Sequence, residues 1–371
     1  MQGSGDKESG VGVTKTRLHT FAENQPFQLQ NGQTLGPITL AYETYGELNA
    51  ERDNAILLFH ALSGSQHAAG YTASVPGVGA RWTNECQLGW WEDFVGPGKA
   101  IDTRQFYVVC ANYLGGCYGS TGPASSNPAT GKPYGASFPH ITVSDVVDTQ
   151  MHLLDHLKIE KLHAVIGASL GGMMCLSLAT RYPDRVGIVV PIAASLEVKP
   201  LQRIHNFEQI CAIEQDPNFC GGDYYDGPAP QRGLALARMI SHKTYVSLHT
   251  MEDRARQDVL HMEGDFSWYP LTNPLESYML YQGRKFIERF DANSFLRIVD
   301  FWQRFDLLGE SGAASMGELF TRCRDQIYLI FSIDSDVCFY PEWQEEMAAV
   351  LKQADVSNMR ITVHSEKGHA S

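Results

Sequence analysis

A serine set among glycines, where an apolar strand gives way to a helix, constrains the fold of this 371-residue chain most strongly. The segment GASLG places Ser169 between Gly167 and Gly171, after the apolar residues 162–166 and before an apolar helical pattern. A G-x-S-x-G motif in this setting is typical of a nucleophile elbow, whose strained turn lifts the serine hydroxyl clear of a sheet. We therefore predict that Ser169 is a catalytic nucleophile.

A nucleophilic serine needs a histidine base and an acid that orients it, in the chain order serine, acid, histidine. The apolar run Ile327–Ile333 predicts a buried strand, and the turn after it carries Asp334 and Asp336. A second predicted strand ends at His364 and is followed by a loop with His369. Because both loops follow strands, we expect them to meet beside the elbow, with His369 as base, Asp336 as orienting acid and Asp334 as the alternative.

An oxyanion site needs two backbone N–H groups. The first is predicted at Leu170, where the helix after the elbow begins and its positive end points at the developing charge. The second is expected in the loop after an early strand. The apolar strand Ala55–Phe59 and the loop 60–64 fit that position. We assign the second donor to the N–H of Leu62, with Ala61 as the alternative.

The order of strand and helix patterns predicts the architecture. Strands and helices alternate up to about residue 193, strand patterns are missing from about 197 to 310, and strands resume at residue 327. This order indicates an α/β fold with a mostly parallel central sheet flanked by helices and an inserted all-helical lid. We predict a flexible leader at 1–15, a core at 16–195 and 315–371, and the lid at 196–314.

Several longer motifs carry a family resemblance. LAYETYGELN, FHALSGSQHAAGY, GWWEDFVGPGKAIDT, NYLGGCYGSTGPASSNPATGKPYGASFP, RGLALARMISHKTY and ERFDANSFL resemble signatures of the homoserine O-acetyltransferases, within the α/β-hydrolase superfamily. The similarity runs from about residue 40 to the end of the chain. It implies ping-pong transfer of an acyl group from an acyl-coenzyme A, with acetyl-coenzyme A favoured, to homoserine or a similar amino acid in methionine biosynthesis. The residues alone indicate serine-dependent acyl transfer or hydrolysis. A succinyl donor with homoserine or serine, or hydrolysis of a small ester or thioester, is therefore the alternative.

The resemblance also implies acceptor-binding residues. The family's arginine for the substrate carboxylate falls on Arg238 and its substrate-contacting tyrosine on Tyr245, two helical turns further on. A guanidinium group can bind a carboxylate through two parallel hydrogen bonds. The family usually has an aspartate directly after the catalytic histidine, where it meets the substrate ammonium group, but this chain has Ala370. Relatives also continue past the position of Ser371, so we expect a longer native chain.

Composition fits a soluble enzyme. The net charge of −13 argues against nucleic acid as a partner. The 8 cysteines lack C-x-x-C pairs, and the Gly/Ser-rich N-terminus lacks the apolar core of a signal peptide. No apolar run is long enough to cross a membrane. His60 and His67 have no third ligand at a recognisable spacing, so we predict neither metal nor bound cofactor. We expect a cytoplasmic homodimer that acts on small molecules.

Overall fold

The computed structural model describes residues 10–257 and 268–371. Its strands are β1 (Arg17–Phe21), β2 (Phe27–Gln28), β3 (Thr34–Leu35), β4 (Ile38–Tyr45), β5 (Ala55–Phe59), β6 (Val95–Gly96), β7 (Ile101–Asp102), β8 (Tyr107–Ala111), β9 (Leu162–Ala168), β10 (Val186–Ile192), β11 (Ile327–Ile333) and β12 (Ser357–Val363). Eight of them form one sheet in the order β1-β4-β8-β5-β9-β10-β11-β12. β2 with β3, and β6 with β7, form separate two-stranded sheets.

The large sheet is parallel from β8 to β12, whereas β1 and β4 add an antiparallel edge. Every residue of β5, AILLF, is buried. A strand covered on both faces is expected to be apolar throughout rather than alternating. The predicted α/β fold with a mostly parallel sheet is confirmed. The carboxyl ends of β5 and of β9 to β12 lie along one edge of the sheet, where the candidate site is built.

The described residues also form ten helices. They are α1 (Val143–His156), α2 (Leu170–Arg181), α3 (Pro200–Glu214), α4 (Gln231–Tyr245), α5 (Leu248–Gln257), α6 (Pro274–Arg289), α7 (Ala292–Gln303), α8 (Leu307–Ser311), α9 (Met316–Thr321) and α10 (Pro341–Gln353). Short 3₁₀ turns occur at Gly79–Arg81, Asn84–Cys86, Gly135–Ser137, Pro183–Arg185, Cys220–Gly222 and Gly368–Ala370. Within the described ranges, no helix is both long and apolar enough to cross a membrane.

The segment between β10 and β11 is helical. Its described residues form α3 to α9 and contribute no strand to any sheet. An isolated bridge between Glu197 and Asp306 joins the chain before α3 to the chain after α7. Beyond that bridge, α8 contacts α2 and α9 contacts α10. Helices α3 to α7, which we call the helical insertion, therefore leave the sheet and return to it at nearly the same place.

The strand before the final loop differs from its predicted extent. β12 begins at Ser357, ahead of the predicted start at residue 361, and ends at Val363. His364, predicted as a strand residue, therefore lies just past the strand and is exposed. Among the described strands, β12 pairs only with β11, at the edge of the sheet. Its mixed polar and apolar residues follow from that position, because one side of the strand faces solvent.

Candidate active site

Ser169 stands at a strained turn between β9 and α2. Its backbone has φ 59° and ψ −125°, a left-handed conformation that is costly for a residue with a side chain. The Ser169 N–H donates to the Ile192 carbonyl over 2.8 Å. A Cβ on Gly171 would lie 2.3 Å from the Phe59 carbonyl oxygen, and one on Gly172 would lie 2.5 Å from the Ala194 side chain. Glycines here let α2 pack directly against the ends of β5 and β10.

Asp336 and His369 form a hydrogen-bonded pair. Asp336 is buried, and its Oδ2 lies 2.6 Å from Nδ1 of His369. Its other oxygen, Oδ1, accepts the N–H groups of Cys338 at 2.7 Å and Phe339 at 2.9 Å. The Phe339 ring also stacks on the His369 ring, with centroids 5.4 Å apart. An imidazole whose Nδ1–H is bound to a carboxylate presents Nε2 as the proton acceptor.

Asp334 contacts a different histidine. Its Oδ2 lies 2.8 Å from Nδ1 of His364, and its Oδ1 accepts the Ser365 N–H over 3.0 Å. That backbone hydrogen bond and the one from His364 hold the pKa of Asp334 below its usual value. Both members of this pair are solvent-exposed, with side-chain exposures of 41% for Asp334 and 84% for His364. The structure therefore joins His369 to Asp336, the first of the two predicted acids.

The sheet brings Ser169 to the same edge as this pair. Ala168 of β9 pairs with Ile192 of β10, which pairs with Phe331 of β11, which in turn pairs with Ile361 of β12. Ser169, Asp336 and His369 follow the ends of β9, β11 and β12. The Ser169 side chain makes no hydrogen bond to any residue in the described ranges. Catalytic hydrogen bonds often form fully only with substrate bound.

The backbone N–H groups of Leu62 and Leu170, near the elbow, have no hydrogen-bond acceptor within the described part of the chain. The Ala61 carbonyl accepts His60 Nδ1 at 2.7 Å and the Gly64 N–H at 3.0 Å. The Ala61 carbonyl and the Leu62 N–H belong to the same peptide unit, and in a trans peptide these two groups point in opposite directions. The Leu62 N–H therefore points away from His60 Nδ1 and the Gly64 N–H. The Ala61 N–H also has no described acceptor and stays the alternative.

Arg238 and Tyr245 meet on one face of α4, as their spacing predicts. The Arg238 guanidinium carbon lies 5.5 Å from the Tyr245 ring centroid and 5.0 Å from that of Phe286 on α6. The Tyr245 ring lies 6.0 Å from the His369 ring. No described carboxylate lies within 4.0 Å of the guanidinium, and burial lowers its pKa to about 10, which leaves it charged at neutral pH. A guanidinium held between aromatic rings and lacking a counter-ion is suited to bind an anionic ligand.

A second arginine near the site was missed from the sequence. Arg289, the last residue of α6, donates through Nη1 to the Ser63 carbonyl at 3.2 Å and to the Tyr118 hydroxyl at 2.9 Å. Its guanidinium carbon lies 5.1 Å from the Phe286 centroid. Arg289 is the second residue of the ERFDANSFL motif, but that motif indicated no role for it. In a sequence, this helical arginine cannot be distinguished from one that is merely exposed to solvent.

The helical insertion also contacts the loop that carries His369. The Ser247 N–H, between α4 and α5, donates to the Lys367 carbonyl over 3.2 Å, and the Ser247 hydroxyl donates to the Glu366 carbonyl. A Cβ on Gly368 would lie 2.7 Å from the Ser247 nitrogen. The insertion and the histidine loop are therefore in direct contact through both backbone and side chain.

The two histidines of the early loop are buried. Burial lowers the pKa of His60 to about 4, so this residue stays neutral at pH 7. His67 lies 2.9 Å from Glu43 and 2.9 Å from the Gln87 carbonyl. In the described ranges no three or more His, Cys, Asp or Glu side chains form a group that could hold a metal ion. Both histidines contact neighbouring protein groups that fix their ring positions.

Comparisons with known proteins agree with this geometry. A family model described as the alpha/beta hydrolase fold matches residues 54–356, so the fold and the serine turn define this chain as a protein of that class. The homoserine O-acetyltransferase of Deferribacter desulfuricans is 41% identical over 365 residues, which cover 98% of this chain and 92% of that protein. The homoserine O-succinyltransferase of Alkalilimnicola ehrlichii is 43% identical over 364 residues, covering 97% and 91%. The chain belongs to the homoserine O-acyltransferase family, which confirms the resemblance found in the sequence.

Solved structures show the same architecture. The homoserine O-acetyltransferase from Bacillus anthracis matches with a TM-score of 0.84 at 28% identity, over 96% of this chain and 93% of that one. Esterase E22 matches equally well, with a TM-score of 0.84 at 26% identity, over 96% and 95%. One architecture therefore serves an acyltransferase and an esterase, and the side chains of the site must distinguish the two activities.

Proposed function

We propose that this protein transfers an acetyl group from acetyl-coenzyme A to the hydroxyl of homoserine through an acyl-Ser169 intermediate. In the first half-reaction, Ser169 Oγ attacks the thioester carbonyl while His369 Nε2 takes its proton. The oxyanion forms beside the N–H groups of Leu62 and Leu170. Its collapse breaks the C–S bond, and the thiol leaves with the proton from His369.

The second half-reaction reverses these roles. His369 takes the proton of the homoserine hydroxyl, whose oxygen attacks the acyl-serine carbonyl. The second tetrahedral intermediate then releases Ser169, which recovers its proton from His369. Asp336 holds the imidazole in the required tautomer and stabilises the imidazolium form in both halves. The products are free coenzyme A and O-acetylhomoserine, and the enzyme returns unchanged.

The observation that carries this proposal is the position of the Arg238 guanidinium. It has no carboxylate partner in the described ranges, and only the Tyr245 ring separates it from His369. Water, the acceptor in hydrolysis, needs no such cation. An amino acid brings an α-carboxylate that the guanidinium can bind, which places the acceptor hydroxyl near the acyl-enzyme. The site geometry therefore favours transfer to an amino-acid alcohol over hydrolysis.

Recognition of the acceptor's ammonium group is the weaker part of the site. Ala370 is exposed, and its methyl group accepts no hydrogen bond. The two acids that follow β11, Asp334 and Asp336, are paired with His364 and His369. 4-Hydroxybutyrate is homoserine without the ammonium group. We propose that this site prefers homoserine over 4-hydroxybutyrate less strongly than a site with an aspartate at position 370 would. We also propose a homodimer and a cytoplasmic location; the eight free thiols fit the location, because they suit a reducing compartment.

The test combines two donors with several acceptors. Acetyl- or succinyl-coenzyme A is mixed with homoserine, serine, 4-hydroxybutyrate or water, and loss of thioester absorbance is followed with product mass. Thiol reagents are avoided because Cys220 is exposed. We expect O-acetylhomoserine as the main product and no turnover by Ser169→Ala. Free acetate formed at a rate independent of homoserine would show a hydrolase, and faster turnover of succinyl-coenzyme A would show the other donor.

A further inference from the structure

Arg289 connects the helical insertion to the loop that supplies the Leu62 N–H. We propose that Arg289 is a positioning residue that fixes the oxyanion loop, residues 60–65, and thereby aims the Leu62 N–H at the reacting carbonyl. The role of the loop rests on the proposed function. The contact itself is a hydrogen bond of 3.2 Å from Nη1 to the Ser63 carbonyl.

The constraint that Arg289 places on the loop is transmitted to Leu62 through two peptide units. Arg289 holds the carbonyl of the peptide between Ser63 and Gly64. The N–H of that same peptide donates to the Ala61 carbonyl at 3.0 Å. The peptide between Ala61 and Leu62 is planar and trans, so fixing its carbonyl also fixes the direction of the Leu62 N–H. A change at Arg289 therefore changes the orientation of an oxyanion donor that it does not touch.

One side of this part of the loop faces a cavity rather than packed side chains. Residues Ala61, Ser63 and Gly64 line a cavity of about 310 Å³, together with Tyr118 and Arg289. A loop that faces open space gains few van der Waals contacts on that side. The directional hydrogen bond from Arg289 supplies the constraint that packing lacks there.

Arg289 is itself held in place on its other sides. The Tyr118 hydroxyl accepts from Nη1 at 2.9 Å, and Tyr118 is buried, with its N–H donating to Asn112 Oδ1 at 3.3 Å. The Phe286 ring lies against the guanidinium at 5.1 Å. No described carboxylate lies within 4.0 Å of Arg289. Its position is thus set by a rigid tyrosine and a ring rather than by a mobile acid.

The two guanidinium groups on Phe286 have different consequences. Arg238 lies toward His369, and its guanidinium has no hydrogen-bond partner among the described residues, so it can bind an incoming carboxylate. Arg289 lies toward the oxyanion loop, and its guanidinium already donates hydrogen bonds to Ser63 and Tyr118. Loss of Arg238 is expected to impair only the acceptor step, whereas loss of Arg289 is expected to slow both half-reactions because both pass through an oxyanion.

The test measures acylation without any amino-acid acceptor. Full-length wild type, Arg289→Met and Arg289→Lys are mixed with p-nitrophenyl acetate, and the p-nitrophenolate burst gives the acylation rate. We expect Arg289→Met to lower this rate roughly 10- to 100-fold, less than the loss of an oxyanion donor itself. Arg289→Lys keeps one donor for the Ser63 carbonyl and should recover part of the rate. Tyr118→Phe removes one anchor and should lower the rate less than Arg289→Met does.

A second measurement separates positioning from a general structural role. A methyl trifluoromethyl ketone binds serine enzymes as a tetrahedral oxyanion. Its affinity should fall in Arg289→Met by about the same factor as the acylation rate, with the donor KM within about threefold of wild type. Arg284→Met, an exposed arginine on the same helix, is the matched control.

Three results would overturn the inference. One is an unchanged burst rate in Arg289→Met with only transfer to homoserine lost, which would make Arg289 an acceptor-binding residue. Another is a loss of rate with unchanged ketone affinity, and the third is an equal loss in Arg284→Met. Failure of the proposed function would be recognised separately. In that case the wild-type protein would form no acetylated homoserine from acetyl-coenzyme A. This result does not depend on the ratio of the variant burst rate to the wild-type burst rate.

Discussion

Replacement of Arg238 by alanine is the most discriminating test of acceptor binding. Burial lowers the pKa of this guanidinium from 12.5 to about 10. At about 1.4 kcal/mol per pH unit, this corresponds to roughly 3 kcal/mol that disfavours the charged form. A bound carboxylate offsets that penalty because it supplies the missing counter-ion. Truncating one partner of a buried charged pair costs about 2–5 kcal/mol, so we expect the acceptor step to slow about 100-fold or more.

The assay separates the two half-reactions. Acyl-enzyme formation from acetyl-coenzyme A alone is followed by intact-protein mass spectrometry, and its decay is then measured with homoserine or with 3-amino-1-propanol. The latter keeps the hydroxyl and the amine but lacks the carboxylate. Arg238→Ala should acylate nearly as fast as wild type, and its defect should appear with homoserine and disappear with 3-amino-1-propanol.

Arg232→Ala is the matched control, because Arg232 is exposed on the same helix. Arg238→Lys keeps the charge without the two-pronged geometry and should lie between wild type and alanine. Equal slowing of acylation and deacylation in Arg238→Ala would refute the reasoning, as would an equal loss with both acceptors. Either result would point to donor binding or to a structural role for this side chain.

Three further predictions concern the catalytic groups and the early loop. Ser169→Ala should lose turnover by several orders of magnitude and show no acyl adduct by mass with donor alone; an adduct that persists would exclude Ser169 as nucleophile. Asp336→Asn should lower kcat roughly 10³- to 10⁴-fold while Asp334→Asn stays within a few-fold, and the reverse order would reassign the acid. Burial lowers the pKa of His60 from 6.5 to about 4. As pH falls, the unfolded chain is therefore protonated before the folded one, and the free energy of unfolding decreases between these two pH values. The free energy of unfolding is measured with urea at pH 7 and at pH 4.5. Its decrease between these pH values should be about 2–3 kcal/mol smaller in His60→Gln than in wild type, and equal decreases would contradict the prediction.

Much of the fold could be predicted because its central strands are buried on both faces. The runs AILLF and IYLIFSI are continuously apolar, and the structure places β5 and β11 at the predicted bounds. The edge strand β12 was harder, because Ser357, Asn358 and Arg360 interrupt its apolar pattern. Solvent on one side of an edge strand removes the signal on which such a prediction depends.

The candidate site was predictable where a residue's role follows from its position after a strand. Asp334 and Asp336 both meet that condition, and the sequence prediction chose Asp336 with Asp334 as the alternative. The geometry of the turn separates them, because the Cys338 and Phe339 N–H groups converge on Asp336 whereas Asp334 faces His364. Arg289 had no comparable signal, since its partners Ser63 and Tyr118 are 226 and 171 residues away in sequence.

The contact between Ser247 and the histidine loop bears on how such enzymes can diversify. Ser247 belongs to the helical insertion that also carries Arg238, and its hydrogen bonds support the residues just before His369. If Arg238 binds the acceptor and His369 is the general base, as we propose, a chimera that receives a relative's insertion would change both the acceptor pocket and the support of the base. Substrate choice and proton transfer are therefore inherited together, and productive grafts should carry residues 364–369 along with the insertion.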